Sequence, residues 1–283
     1  MIGVINQPVR TDVADPLGSR SPKQLLFAAL AEQRLMGVRT PLRASTYIAV
    51  LGEAGVHPAT TRAKLDRLVV EGYLSRMRGS RGVEYSLTGP GDDTLRAIQN
   101  RMDAPRPFAP NGSGWTLVTF SVPENHRAAR QRLRAALTWE GFVPVRDGLW
   151  VAPGEADLDA ALDPMAEELV GSSVIAFRAQ DLARYSLAGT AARTWDIENA
   201  RSAHETFAGL WGPDATDMDD LTDLARLMLL GADWYALVRT DPRLPSDYLG
   251  DDWPAELSTQ IYRSRRDEFM RSAHDRFFAA IRR

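Results

Sequence analysis

The residues whose types and spacing best fit a chemical task lie in an amphipathic segment near residue 60. Thr60, Lys64 and Arg67 recur at i, i+4 and i+7, so a helix would carry all three on one face. Thr61 lies beside them near the start of the same helix. Hydroxyl, ammonium and guanidinium groups arranged in this way can bond to base edges and phosphates in a major groove. We therefore expect these residues to contact DNA.

A second group of basic residues follows the predicted helix within a few residues. Gly79 and Gly82 mark the tip of a hairpin that gathers three guanidinium groups, from Arg76, Arg78 and Arg81. A glycine-rich tip contributes few side chains to a hydrophobic core, so we expect these arginine side chains to reach phosphates or the minor groove. Arg62 is a further candidate contact, although its position four residues before Asp66 equally allows an ion pair within the helix.

The charge distribution supports a basic head on an acidic body. Residues 21–91 hold ten Lys and Arg against five Asp and Glu, a net charge of +5, whereas the whole chain carries −3. The remainder therefore carries −8. This asymmetry is typical of a DNA-binding domain attached to a body that does not bind DNA.

The elements that would position these residues can be predicted from the same region. An apolar helix over 47–54 is followed by the breaker Gly55-Val-His-Pro58, and a second helix covers 59–71. Gly55 suits a left-handed helix end, and Pro58 suits the first position of the next helix. The alternation of Val83, Tyr85 and Leu87 with polar residues then predicts a strand. This order is that of a winged helix-turn-helix.

The whole chain is predicted to be an α+β protein with three folded segments. After Trp115 the order β-α-β-β-α-β, with an Asp-Gly hairpin at 147–148, indicates a ferredoxin-like domain. The last segment is helical and rich in aromatic residues. The predicted divisions are a disordered arm (1–20), a winged-helix DNA-binding domain (21–102), a Pro/Gly-rich linker (103–114), the ferredoxin-like domain (115–190) and a helical domain for effector binding or dimerisation (191–283).

Four stretches in this order resemble those of PaaX-type transcriptional repressors. The first combines Thr61–Leu68 with Gly72–Leu74, and the second is Tyr85–Thr88. The third runs from Phe120–Glu124 to Arg134 and includes Gly148–Pro153. The fourth combines Asp241–Pro245 with Trp253–Pro254. The resemblance implies a homodimer that represses a catabolic operon and is released by an acyl-CoA thioester such as phenylacetyl-CoA. Because residues 1–20 lack an apolar targeting segment, we also expect a cytoplasmic protein. Two departures concern the effector. Trp234-Tyr-Ala236 replaces a pair of arginines of the family, and Gly250 replaces a proline.

The effector site is predicted in the last segment, where aromatic and basic residues mix at the place of these departures. The candidate residues are Trp195, Arg226, Trp234, Tyr235 and Arg239. Aromatic residues of this segment can equally be core residues. In the middle segment, Arg127, Arg130 and Arg134 share one helix face, which is either a solvated surface or a site of phosphate attraction.

Enzyme chemistry has little support in the sequence. There is no cysteine, the four histidines are scattered, and no phosphate-binding loop or nucleophile elbow occurs. We therefore expect no catalytic residues, no metal, no cofactor and no membrane span. The alternative that stays open is a metal-dependent nucleic-acid-processing enzyme that uses the winged helix for positioning. A third possibility is a repressor that has no small-molecule effector.

Overall fold

The structure is a computed structural model that describes residues 20–80, 82–146, 148–182, 184, 186–187, 194–215, 218 and 220–282. The fold is α+β, with two antiparallel sheets. The predicted arm at 1–20 lies outside the described residues except for Arg20, and Arg81 and Asp147 of the two predicted hairpin tips lie outside them too.

The N-terminal elements follow the predicted order, with one helix added in front. Pro22–Leu35 (α1) begins with a capping box in which Ser21 and Gln24 satisfy each other's backbone N–H groups. Leu42–Arg43 (β1) leads into Ala44–Glu53 (α2) and Pro58–Val70 (α3). Leu74–Gly79 (β2), Gly82–Leu87 (β3) and Gly89–Met102 (α4) follow. The strands form a sheet in the order β1-β3-β2, because Tyr85 of β3 lies between Leu42 and Arg76.

The middle segment has the predicted element order. Its strands are Trp115–Ser121 (β4), Val143–Arg146 (β5), Leu149–Pro153 (β6) and Ser173–Ala179 (β7), and they pair in the order β5-β6-β4-β7. Its helices are Arg127–Trp139 (α5) and Leu158–Leu162 (α6). The second helix is short, because the chain continues from Asp163 to Leu169 as 3-10 helix with a proline at position 164.

Three long helices complete the chain. They are Ile197–Trp211 (α7), Asp223–Thr240 (α8) and Ala255–Arg282 (α9). Most of α8 is buried, including Leu227, Leu230 and Leu237, which explains the apolar run in the sequence. The loop before α9 contains Arg243 with a φ of +52°.

The described residues divide into two compact units that cut across the three predicted segments. One unit joins 108–201 to the loop 241–253. Its sheet carries one core on each face: Leu133 of α5 lies in the first, and Trp115, Trp195 and Leu244 lie in the second. The other unit joins 20–107 to 202–240 and 254–282. In this unit α8 packs against both α1 and α9.

Candidate nucleic-acid interface

The turn between α2 and α3 fixes the start of the basic helix. Gly55 has a φ of +78°, as predicted, so the chain leaves α2 through a left-handed residue. Pro58 occupies the first helical position, and the Ala59 N–H donates to Nδ1 of His57 at 3.3 Å. His57 therefore acts as the N-cap of α3. The rotation of α3 is then set by Leu65 and Leu68, which are fully buried.

This rotation determines which of the predicted DNA contacts are exposed to solvent. Arg62 and Arg67 are exposed, while Thr60 and Lys64 are half-buried. Thr61 is 0% exposed, and its hydroxyl donates to the His57 carbonyl at 3.5 Å. The prediction that Thr61 contacts DNA is contradicted, because its side chain faces the core. One residue corresponds to about 100° of helix rotation, which separates Thr61 from its exposed neighbour.

Asp66 connects α3 to the hairpin. Its Oδ1 accepts from Nη1 of Arg76 at 3.2 Å and from the Tyr85 hydroxyl at 3.0 Å. Burial, together with the bond to Asp66, raises the pKa of Tyr85. The alternative ion pair between Arg62 and Asp66 is not formed. Among the described residues the guanidinium of Arg62 has no ion-pair partner.

The hairpin presents its arginines on the side that faces α3. Arg76 lies opposite Tyr85 and Arg78 lies opposite Val83, so the two arginines share a face of the sheet. Arg76 is held by Asp66, whereas Arg78 is exposed and has no partner within the described ranges. To the surface that carries Arg62, the hairpin therefore adds Arg78, which no carboxylate holds among the described residues and which can bind a ligand. We define Arg62 and Arg78 as the head surface; Lys64 lies about 200° of helix rotation away from Arg62.

Arg67 differs from these residues because it is already paired. Its Nε donates to Oε1 of Glu71 at 2.8 Å, and Nζ of Lys23 donates to Oε2 of the same carboxylate at 2.9 Å. Burial acts against ionisation of Glu71, but Lys23 and Arg67 outweigh it and hold the pKa of this carboxyl below its usual value. A DNA contact by Arg67 would compete with this pair.

The five predicted effector residues fall into different compact units. Trp195 belongs to the unit of residues 108–201, where its ring lies 5.7 Å from that of Trp115. Trp195 is 5% exposed, and its Nε1 has no hydrogen-bond partner among the described residues. Nearby, the Trp253 N–H donates to Asp241 at 3.2 Å. An unsatisfied indole N–H in an aromatic cluster is a donor that a ligand acceptor could use.

The other four residues, on α8, are mostly engaged in packing. Trp234 is fully buried, stacks on Tyr262 at 4.2 Å and donates from its Nε1 to the Met102 carbonyl at 3.1 Å. Nε of Arg226 donates to the Met218 carbonyl at 2.8 Å. Arg239 lies over the ring of Tyr235 at 5.7 Å. These contacts place Trp234 in the core of the unit and hold the half-buried Arg226 against the Met218 carbonyl.

A buried cluster that the sequence analysis did not identify lies on the same helix. Asp233 is 2% exposed, and both its oxygens accept from Arg20, with the shortest distance at 2.6 Å. The Trp211 N–H also donates to Asp233, at 2.8 Å. An aspartate within an apolar run was the available signal. We call Arg20, Asp233 and Trp211 the buried triad.

Within the ranges that the structure describes, no group of His, Asp and Glu side chains is arranged to hold a metal ion. The acids of the middle segment that the enzyme alternative would need include Glu168, which pairs with Arg132 on α5. No helix among the described residues combines the length and apolarity that crossing a membrane requires.

Comparison with known proteins identifies the family. Residues 109–191 match the PaaX protein central Cas2-like domain, and residues 195–280 match the PaaX-like protein C-terminal domain, together more than half of the chain. A comparison with curated proteins gave no match. Among solved structures, the chain is similar to the uncharacterized protein Rv0674 from Mycobacterium tuberculosis, with a TM-score of 0.56 and 25% identity over 91% of this chain and 99% of that one. These matches show that the chain belongs to the PaaX family.

Proposed function

We propose that this protein is a homodimeric transcriptional repressor of a catabolic operon that binds DNA through an N-terminal winged helix. The observation that carries the proposal is the head surface, where Arg62 and Arg78 have no ion-pair partner among the described residues. Membership in the PaaX family supports a regulator. In a winged helix, α3 would enter the major groove and the hairpin would contact the backbone or minor groove.

The roles of the individual cations follow from their positions. Arg62 lies in the N-terminal half of α3, from which recognition helices reach base edges. Lys64 is half-buried, so its stem packs while its ammonium group can reach a phosphate. Arg78 projects from the hairpin, which suits a backbone contact. Two copies of α3 in a dimer would meet half-sites about one helical turn, or a multiple of it, apart.

The proposed DNA contact is tested by a mobility-shift titration on DNA upstream of the gene and its neighbours. The wild type is expected to bind saturably in the presence of random competitor DNA. Arg62→Ala/Arg78→Ala is expected to bind at least about tenfold more weakly, since a base contact contributes ~1–3 kcal/mol. The control is Arg106→Ala/Arg146→Ala, which removes two exposed arginines elsewhere. Equal losses in both variants would contradict the assignment of the head surface.

The same titration distinguishes a repressor from the enzyme alternative. Added Mg²⁺ or Mn²⁺ is expected to leave the DNA intact, because the proposal assigns no chemistry to the protein. Metal-dependent cleavage by the wild type would overturn the repressor reading in favour of a nucleic-acid-processing enzyme.

We further propose an acyl-CoA thioester as the effector, as in other members of the family. The unsatisfied N–H of Trp195 supports a ligand contact in the aromatic cluster. A panel of acyl-CoA thioesters is expected to include one that releases the DNA, because a ligand with different affinity for the two states shifts their populations. Trp195→Phe, which removes the N–H and keeps an aromatic ring, should then require more thioester for release. If no thioester releases the DNA, the repressor proposal is retained and the proposal of an acyl-CoA effector is rejected.

A further inference from the structure

The middle domain has a second basic surface, which is separate from the head surface in the sequence. It lies on α5, where Arg127, Arg130, Gln131 and Arg134 line an open depression of about 260 Å³. The adjacent face of α5 carries Leu133 and Leu137, which are fully buried in the core of this domain. Arg127, Gln131 and Arg134 are exposed and Arg130 is half-buried, so the groove lies along the solvent side of an anchored amphipathic helix. We call this depression the α5 groove.

Within the part of the chain that the structure describes, no carboxylate pairs with the three arginines of the groove. Nη2 of Arg130 donates to the Val122 carbonyl at 2.6 Å, a bond that positions its guanidinium without neutralising its charge. Arg127 and Arg134 are exposed, and neither has an ion pair or a side-chain hydrogen bond among the described residues. By contrast, Arg132, on another face of α5, pairs with Glu168. The groove is thus the unpaired basic face of α5.

Unpaired like charges at this spacing disfavour one another. Pairs of like charge three or four residues apart destabilise a helix. Arg127 is also the first residue of α5, where the helix dipole is positive. An anion bound in the groove would relieve both effects.

The geometry indicates which anion fits. From Arg127 to Arg134 the helix rises about 10.5 Å, so the three guanidinium groups can meet more than one anionic group at once. Guanidinium groups match phosphate oxygens with two parallel hydrogen bonds. The depression is smaller than the ~300–1,000 Å³ of a pocket that encloses a whole ligand, so the rest of the bound molecule would lie outside it.

We propose that the α5 groove binds adjacent phosphate groups of a ligand whose remainder lies outside it. The chemistry is shared by two sources: the diphosphate of a small molecule and neighbouring phosphates of a DNA strand. The inference does not depend on the head surface. It assigns Arg127 and Arg134 as the main contacts and Arg130 as a contact that the Val122 carbonyl orients.

The first arm of the test uses inorganic pyrophosphate and calorimetry at low ionic strength. If the source is a small molecule, the wild type binds saturably and Arg127→Ala/Arg134→Ala binds at least about tenfold more weakly, a loss of ~1.4 kcal/mol or more. Arg106→Ala/Arg146→Ala, which removes the same charge from other exposed positions, should stay within about twofold of the wild type. Because Arg127 and Arg134 have no structural partner among the described residues, the variant should retain the thermal midpoint of the wild type.

The second arm measures the salt dependence of binding to duplex DNA. If DNA is the source, the logarithmic salt slope of Arg127→Ala/Arg134→Ala is shallower than that of the control by up to about 1.8, because each lost phosphate contact removes about 0.9. A positive result in either arm supports phosphate binding in the α5 groove and identifies the source of the phosphate groups. The absence of saturable pyrophosphate binding together with an unchanged salt slope would overturn the proposal. If the wild type binds pyrophosphate but no specific DNA, the repressor proposal is overturned and the proposal of phosphate binding in the α5 groove is retained.

Discussion

Asp233 lies in the largely buried helix α8, where it pairs with Arg20. The side chains of Arg20 and Asp233 are 12% and 2% exposed, so both charges have largely left water. Such burial is compensated only when the remaining hydrogen-bond capacity is satisfied, and here the Trp211 N–H provides the third donor. The triad joins residue 20 to α7 and α8 within one compact unit. Its role is therefore structural.

The triad predicts a large difference between breaking the pair and replacing it. Asp233→Ala should lower the free energy of unfolding by ~3–5 kcal/mol, because it leaves a buried guanidinium without a partner. Arg20→Met/Asp233→Leu should recover most of this loss, since neither charge remains. Trp211→Phe, which removes one bond to the charged group, should cost ~1.5–3 kcal/mol beyond any change in packing. Urea denaturation measures all three variants. A double variant as unstable as Asp233→Ala would contradict the explanation.

Residue by residue, the sequence predicted the head surface only in part. The basic face of α3 was expected from i, i+4 spacing, and Thr61 was added as a contact because it lies near the start of the helix. Thr61 faces the core instead, because the rotation that Leu65 imposes depends on packing and cannot be resolved from the sequence pattern. The partner of Asp66 was also missed. It comes from the hairpin, and contacts between elements depend on how those elements pack rather than on their spacing within one of them.

At the scale of elements, α1 and α4 are joined through one carboxylate in the first turn of α4. Asp92 accepts from Nε of Arg34 and from Nη1 of Arg39, both at 2.9 Å. Burial acts to raise the pKa of Asp92, but the two arginines outweigh it and hold this pKa below the usual 3.8. The position in the first turn also suits a negative charge, because the helix dipole is positive there.

This pair predicts an acid sensitivity with a definite sign. Because the pKa of Asp92 is lower in the folded state, the contribution of Asp92 is complete above the unfolded pKa and is lost as pH falls through the folded pKa. The free energy of unfolding of Asp92→Asn should therefore fall less than that of the wild type between about pH 5.5 and pH 3. Asp275→Asn, which removes an exposed carboxylate of α9, is the control. Equal acid losses in the wild type and Asp92→Asn would contradict the prediction.

Elements with a strong local pattern were predicted well. The helix pair α2 and α3, the hairpin after it and the order β-α-β-β-α-β all follow from periodicity, glycines and prolines that lie within each element. The helix α1 was not identified, although Ser21, Pro22 and Gln24 form a start signal in the sequence. The second middle-domain helix, α6, ends just before Asp163 and Pro164, where the chain turns to 3-10 helix.

For the whole molecule, sequence order is a poor guide to compactness. The compact unit that contains the head also contains most of α7, α8 and α9, and Glu32 and His274 meet in it at 2.8 Å across 242 residues of chain. Glu53 of α2 binds Arg276 of α9 at 3.0 Å. Contacts over such separations leave no local trace in the sequence, so a division into consecutive segments could not include them.

Because this unit combines the N-terminal elements with helices from the C-terminal part, we predict that residues 20–107 do not fold normally when separated from the rest. In the full chain α1 packs against α8, and Leu26 and Leu30 of α1 are buried. Losing the contact with α8 would expose apolar surface of α1 at a cost of ~25 cal/mol per Å², against a total domain stability of only ~5–15 kcal/mol. Thermal unfolding of the fragment should therefore be broad and start well below that of the full chain. Adding residues 194–283 as a separate chain should restore a cooperative transition by supplying α7, α8 and α9. A fragment that unfolds cooperatively at the midpoint of the full chain would show that the head is stable alone and that the helices from the C-terminal part only cover it.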